Sequence, residues 1–465
     1  MIKFLKINDP YRLAVLAIFF LAARAIVFLF EIPFTYSELK FFLVARAMEN
    51  GKWLYKDVWE TAEPLTAFLY YLLPNNVVIF SATAYWLNVI LVLFNAFFIN
   101  IQFIRHDVLN EKTNLPAFFY LFLSFSSIEL NVFSAPLMAS SFLLLVANKM
   151  FFYLKKEESQ QLYSIGFFLS IASLLYLPSI VFFLVILISL IVFTRSELKS
   201  YFLLILGCVF PWMVLLVVFL WNDGFVEFTN VFLAKYFKFR QNYIFWSEVA
   251  YILLIPALVF LSALYLSLRD RIREINYQNI CRKFVFIWLM GCLLLFLIAP
   301  ITTLSFLHIA IMPLAFFYTF YFTQTNKTLI ASILLILAFV VMLLVEVRSA
   351  VGLAWRGSMR KIIVQRNEQD TVKGKRLFVV GESVAYYLDN TLATKYLNWE
   401  VSKQELVNTQ EFTSIESVKR TFEKEMPEMI IDQKHIMPSV FKRIPSLQEA
   451  YSLERPGIYV LKKKK

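Results

Sequence analysis

The sequence predicts a polytopic α-helical membrane protein of about 11 spans with a small α/β domain at its C-terminal end. Three observations predict it. Of the 465 residues, 60% are hydrophobic and the mean hydropathy is +0.66, whereas soluble domains are nearer half apolar. Many apolar runs approach the roughly 20 residues that cross a bilayer as helix, and none alternates in the manner of a barrel strand of about 10 residues. From about Thr371 the apolar runs give way to short apolar stretches divided by charged ones, the pattern of strands alternating with helices.

Taken in order, spans are expected at 13–30, 79–103, 114–128, 132–153, 161–176, 179–194, 201–221, 248–267, 283–300, 305–323 and 329–347. Leu177-Pro178 divides the short fifth and sixth. The start, MIKFLKINDPYRL, runs into apolar sequence without a small-residue cleavage site, so it reads as an uncleaved first span. Lys3, Lys6, Arg12, Arg105, Lys112, Lys155, Lys156, Arg195, Lys199, Arg269, Arg271, Arg273, Arg282, Lys283 and Lys327 all fall on one side. The short loops of the other side, near 129–131, 176–178 and 301–304, hold no Lys or Arg, so the basic side is cytoplasmic. The expected location is a bacterial-type cytoplasmic (inner) membrane, with the N-terminus cytoplasmic.

Three regions follow from this count: a membrane domain, 1–347; an interfacial linker, 348–370; and an extracytoplasmic α/β domain, 371–465. In the last, strands are expected at RLFVVG (376–381), PEMIIDQ (427–433) and GIYVLK (457–462), with SVAYYLDNTLATKYL as a helix. The net charge of +12 reflects basic cytoplasmic loops rather than nucleic-acid binding. Cys208, Cys281 and Cys292 have neither metal-ligand spacing nor a disulfide framework.

The richest segment is the first outer loop, 31–78. It carries Glu38, Glu49, Asp57, Glu60 and Glu63 among Lys40, Arg46, Lys52 and Lys56. YSELKFFLVARAMEN (36–50) places Phe41, Val44, Ala45 and Met48 on one face of a surface helix, which Gly51 ends. A second amphipathic helix begins near Pro64. Glu60 and Glu63 read as solvated or helix-capping. Arg24 lies within the first span, where a charge must face a wet interior or snorkel to the interface. Glu129 stands beside Asn131 at the outer end of two spans. In WNDGFVEFTNVFLAKYFKFRQNYIFW, Lys235, Lys238 and Arg240 interleave with aromatic rings, a strip suited to a lipid phosphate or to anchoring an interfacial helix.

The loop resembles the first external loop of GT-C membrane glycosyltransferases, and within them the protein O-mannosyltransferases and bacterial lipid A aminoarabinose transferases. The resemblance rests on Ser37-Glu38, Ala45-Arg46, Met48, Gly51, Tyr55, Asp57 and Glu63-Pro64-Leu65. LHIAIMPLAFF, with His308 five residues before Pro313, is similar to their late-span element, and the C-terminal pattern looks like their external domain. The resemblance implies a polyprenyl-phosphate-linked sugar donor and a lipid, glycan or protein acceptor on the outer side. It implies Glu38 and Asp57 as the acceptor-side acids and Lys235, Arg240 and His308 as donor-phosphate ligands. Arg24, Arg46, Glu129 and Lys238 would line the cavity. No cofactor is certain; the acidic groups of the loop could recruit a divalent ion, though none is required. Ser37 stands where the family has an acid, and Glu63-Pro64-Leu65 replaces a Lys-Pro-Pro-Leu element. A catalytically inactive scaffold of an envelope complex is therefore the competing reading, and a transporter the third.

Overall fold

The computed structural model describes residues 2–29, 34–233, 236, 241–242, 257, 260–262, 264, 275–324, 340, 364, 373–408 and 410–462. Its helices are α1 (Pro10–Leu29), α2 (Tyr36–Glu49), α3 (Pro64–Tyr71), α4 (Val77–Arg105), α5 (Leu115–Leu123), α6 (Ala135–Lys156), α7 (Gln160–Leu175), α8 (Phe182–Phe193), α9 (Leu198–Trp221), α10 (Asn276–Ile298) and α11 (Leu307–Gln324). The C-terminal region adds β1 (Arg376–Val380), β2 (Thr391–Leu392), α12 (Trp399–Val407), α13 (Phe412–Lys424), β3 (Met429–Asp432), α14 (Met437–Arg443), α15 (Pro445–Ala450), β4 (Tyr451–Arg455) and β5 (Ile458–Leu461). The chain forms two compact units. Unit one is Met1–Pro33, Ala82–Leu215 and Gln241–Met359; unit two is Phe34–Ser81, Leu216–Arg240 and Arg360–Lys465.

Six helical segments among the described residues are long and apolar enough to cross a membrane: Pro10–Phe28, Val77–Arg105, Ala135–Lys156, Leu198–Trp221, Asn276–Ile298 and Leu304–Gln324. They match six of the expected spans. The expected spans 248–267 and 329–347, and the linker 348–370 apart from Val364, lie outside the described residues. Gln160–Leu175 and Leu177–Phe193 are apolar but shorter, with a 3-10 turn over Leu177–Val181 where the proline forbids continuous helix.

The expected span 114–128 is not one long helix. Asn114 and Pro116 start α5, all nine of its residues are buried, and it stops at Ser124. Residues 125–134 then run irregularly through a 3-10 turn, Ile128–Asn131, before Ser134 caps α6 by accepting from the Leu137 amide. Such backbone survives in an apolar surrounding only if side chains satisfy it. Elsewhere in unit one, α7 and α9 meet backbone to backbone. A Cβ on Gly166 would lie 2.2 Å from the Leu204 carbonyl oxygen, and one on Gly207 would lie 2.2 Å from that of Tyr163.

Unit two is built on a five-stranded sheet in the order β2-β1-β3-β5-β4. β1 runs parallel to β2 and β3, while β5 runs antiparallel to β3 and β4. Phe378, Val380 and Ile430 pack with Val418 and Phe422 of α13, which fall one helical turn apart, and with Val440 and Phe441 of α14. Two expectations need correction here. The stretch expected as a helix after Gly381 forms a 3-10 turn, Ala385–Tyr387, then β2. Asn390 is the reason: its Oδ1 accepts from the Lys375 amide and its Nδ2 donates to the Tyr386 carbonyl, turning the chain back alongside β1. Strand β4 and four helices were also not expected.

The first outer loop, expected with the membrane domain, belongs to this second unit. Trp59 packs against the sheet's core. Its amide donates to the Lys395 carbonyl at 2.7 Å and its carbonyl accepts from the Asn398 amide at 2.9 Å. The Lys395 ammonium stands 3.9 Å from the Trp59 ring centroid. Nor is α2 a one-faced surface helix: Glu38, Leu39, Phe42, Leu43, Val44, Ala45 and Ala47 are all buried, which covers more than one face.

Candidate functional sites

In unit two, Thr35 caps α2. Its Oγ1 accepts from the Glu38 amide at 3.2 Å, and Glu38 Oε2 accepts in return from the Thr35 amide at 3.0 Å and hydroxyl at 2.8 Å. The second carboxylate oxygen, Oε1, accepts no hydrogen bond among the described residues. Glu38 is buried, and burial pushes its carboxyl above the usual range against the two Thr35 bonds. Tyr70 of α3 lies close enough to feel the Glu38 charge and stacks on Phe41 at 4.5 Å. An acid held by one oxygen, with the other available and its proton affinity raised, has the form of a general base.

Glu60 and Glu63 are buried rather than solvated, which corrects the expectation for both. Glu60 Oε1 accepts from Asn398 Nδ2 at 2.8 Å and from the Thr61 amide at 2.9 Å, and Lys40 Nζ is 3.8 Å from its Oε2. Glu63 precedes α3 as its N-cap but makes no side-chain cap bond. Tyr55 sits between these acids with a left-handed φ of 69°, its hydroxyl donating to the Ala62 carbonyl at 2.5 Å. Its ring packs among Phe219, Phe228 and Phe232.

Asp57 is engaged differently. Its Oδ2 accepts from the Trp53 amide at 3.1 Å and its Oδ1 faces Lys424 Nζ at 2.9 Å. Partial burial raises its carboxyl, yet the Trp53 amide and the Lys424 ammonium outweigh this and leave it below the ordinary range. Arg46 Nη1 reaches the Asn390 carbonyl at 3.4 Å. Asp57 and Arg46 thus tie the loop to the C-terminal domain, and Glu38 is the acid with a free oxygen.

In unit one, Arg24 is fully buried. Its Nη2 donates to the Ser124 carbonyl at 2.8 Å and to Ser124 Oγ at 3.1 Å, and its guanidinium lies 4.2 Å from the Phe125 ring centroid. Asn88 Nδ2 donates to the Leu130 and Val132 carbonyls at 3.0 and 2.8 Å. Glu129 Oε2 accepts from the Leu304 amide at 2.7 Å. Arg24 and Asn88 satisfy the irregular backbone that replaces the expected span, and Glu129, within it, ties it to the Leu304 amide. His308 opens α11, buried, with Arg24 and the Leu130 backbone as its electrostatic neighbours; neither ring nitrogen makes a direct hydrogen bond among the described residues.

The sequence-predicted residues therefore fall into groups. Glu38, Arg46 and Asp57 belong to unit two, and Arg24, Glu129 and His308 to unit one. Lys235, Lys238 and Arg240 lie outside the described residues. Asn88 was missed, and its signal was an amide inside an apolar run; Glu60 and Glu63 were noticed but expected in solvent or as caps. Among the described residues no group of three or more His, Cys, Asp or Glu could hold a metal, and none of the three cysteines forms a disulfide.

These features define a mostly helical membrane protein with a small C-terminal sheet domain. The chain belongs to the family of unknown function DUF6427, which matches residues 64–354. That stretch includes Glu129 and His308 and begins beyond Glu38 and Asp57. No curated protein matches the chain.

Proposed function

We propose that the chain is a GT-C-like membrane glycosyltransferase of about 11 spans, which moves a sugar from a polyprenyl-phosphate donor to a lipid, glycan or protein acceptor on the outer side of a bacterial-type cytoplasmic membrane. The observation that carries the reading is the Glu38 carboxyl, buried, clamped by Thr35 through Oε2 and, among the described residues, unbonded at Oε1. In this reading Oε1 takes the proton of the acceptor hydroxyl as that oxygen attacks the sugar carbon. The bond to the donor phosphate breaks on the opposite face, and configuration inverts. Arginine or lysine side chains meet the leaving phosphate through charge-assisted bonds; Lys235 and Arg240 are the residues assigned that part. The C-terminal domain is extracytoplasmic in this topology.

The inactive-scaffold reading draws on one specific observation. Glu38 completes a reciprocal capping box, a sufficient structural reason for an acid at that position. Replacing Glu38 by Gln separates the two. The amide oxygen still accepts from Thr35, so folding is kept, while the base is removed. Loss of surface glycan in a Glu38→Gln strain supports transfer, and unchanged glycan with normal protein level supports the scaffold.

A further inference from the structure

One seam of α4 carries polar side chains at a fixed interval. Asn88, Asn95 and Gln102 are seven residues apart, so each lies about 20° around the helix from the last and about 10 Å further along it. All three are buried. Each keeps a side-chain carbonyl oxygen shut off from solvent and without a hydrogen-bond partner. The Asn88 amide cannot turn over to satisfy that oxygen. Asn88 Nδ2 donates to two backbone carbonyls, which only accept. Asn95 Nδ2 donates to Ser140 Oγ at 3.4 Å, and the Ser140 proton is already given to the Leu137 carbonyl at 2.7 Å.

The Tyr120 hydroxyl of α5 is buried within reach of Asn95 and Ser140, and makes no close, well-aligned hydrogen bond among the described residues. At one end of the seam stands His308, which shares the Leu130 backbone with Asn88 as a neighbour and whose ring nitrogens make no close, well-aligned hydrogen bond among the described residues. At the other end His106 Nε2 is 2.8 Å from Asn148 Oδ1 of α6. Buried acceptors without donors are costly, and the ordinary remedy is internal water, which makes about three hydrogen bonds to such groups. A cation does not fit: it needs about six or more oxygens within roughly 2.6 Å, and these are about 10 Å apart along the axis.

We propose that the α4 seam binds a file of internal water molecules at three levels, held by Asn88, by Asn95 with Tyr120, and by Gln102, and that this file passes protons between His308 and His106. Val92 and Ile99, both buried, stand between the levels, so the levels join only when these side chains move, and solutes and metal ions are excluded. A proton taken up at one imidazole is matched by one released at the other. Water oxygens exchange O–H bonds along the file, and nothing is oxidised or reduced. The inference does not depend on Glu38 and uses no residue of unit two.

Two measurements on the full chain test it. Millisecond X-ray radiolysis labels side chains beside bound water; Tyr120 is expected to be oxidised despite its burial, and severalfold less so in Asn95→Leu. Absence of Tyr120 labelling in the unaltered protein overturns the water file. Proton entry is then read with an internal pH dye in phosphatidylcholine–phosphatidylglycerol vesicles under a valinomycin-set potassium potential. The expected result is entry severalfold above protein-free vesicles, reduced in Asn95→Leu and in Gln102→Leu. Entry equal to protein-free vesicles, with Tyr120 labelled, overturns the proton step.

Discussion

Lys424 Nζ lies 2.9 Å from Asp57 Oδ1, joining positions 367 residues apart in the chain. The next residue, Glu425, takes Lys52 at 2.6 Å, so two ion pairs of opposite polarity lie side by side. Lys424 is mostly exposed, so the pair should contribute about 0.2–1 kcal/mol. Asp57→Lys is expected to loosen the loop, seen as faster protease cleavage within 50–63. Adding Lys424→Asp should restore protection. No rescue by the reversed pair would show that the contact is incidental.

The same pair sets an acid limit. The Asp57 carboxyl is depressed when folded, because the Trp53 amide and Lys424 together outweigh the opposing effect of burial. A depressed acid stabilises above its unfolded pKa of about 3.9, and that stabilisation is lost as pH falls through the folded value. The pair's contribution to the melting of unit two should therefore be full and constant between pH 5 and 8, about 1 to 4 units above that unfolded value. The wild type and Asp57→Asn should converge only below about pH 4.

Thr35→Ala removes the partner that caps α2 and clamps Glu38. A loss of about 1 kcal/mol in stability is expected, with Thr35→Ser close to the wild type. Melting in detergent measures it.

Arg24 supports the Ser124 carbonyl where α5 stops. Arg24→Met leaves that buried carbonyl without its donor, at a cost of about 1–3 kcal/mol. Arg24→Lys, which keeps the charge but not the forked geometry, should fall between. Equal melting temperatures for all three proteins would contradict the structural role assigned to Arg24.

The α7–α9 contact gives a sharp steric test. Gly166→Ala or Gly207→Ala puts a methyl group against a backbone carbonyl, and helix separation should cost about 1–3 kcal/mol. Gly224→Ala, whose nearest atom would be 3.7 Å away, serves as the control and should change little.

Much of this architecture is legible in sequence because hydrophobicity and helix signals are local. The six long apolar helices, the stop at Gly51 with φ of 77°, and the start of α3 at Pro64 all follow from near neighbours. What is not legible depends on distant partners. Composition cannot distinguish α5 and its irregular sequel from a full span, because Arg24 and Asn88 satisfy that backbone from other elements and Glu129 anchors it to the distant Leu304 amide. Burial of Glu60 is likewise set by Asn398, 338 residues away. Asp57 looked like Glu38 in sequence, and Lys424 makes them different.

The central claim is that Glu38 acts as a base rather than only as a helix cap. Burial raises its carboxyl, so its ionised form is disfavoured in the folded protein; folding stability assisted by the proton is lost as pH rises through the folded value. Glu38→Gln, neutral throughout, should then melt at or above the wild-type temperature at neutral pH. The decisive measurement is surface glycan content in a strain that carries Glu38→Gln at wild-type protein level. The account predicts glycan loss with an intact fold. Unchanged glycan with that same intact fold would contradict it.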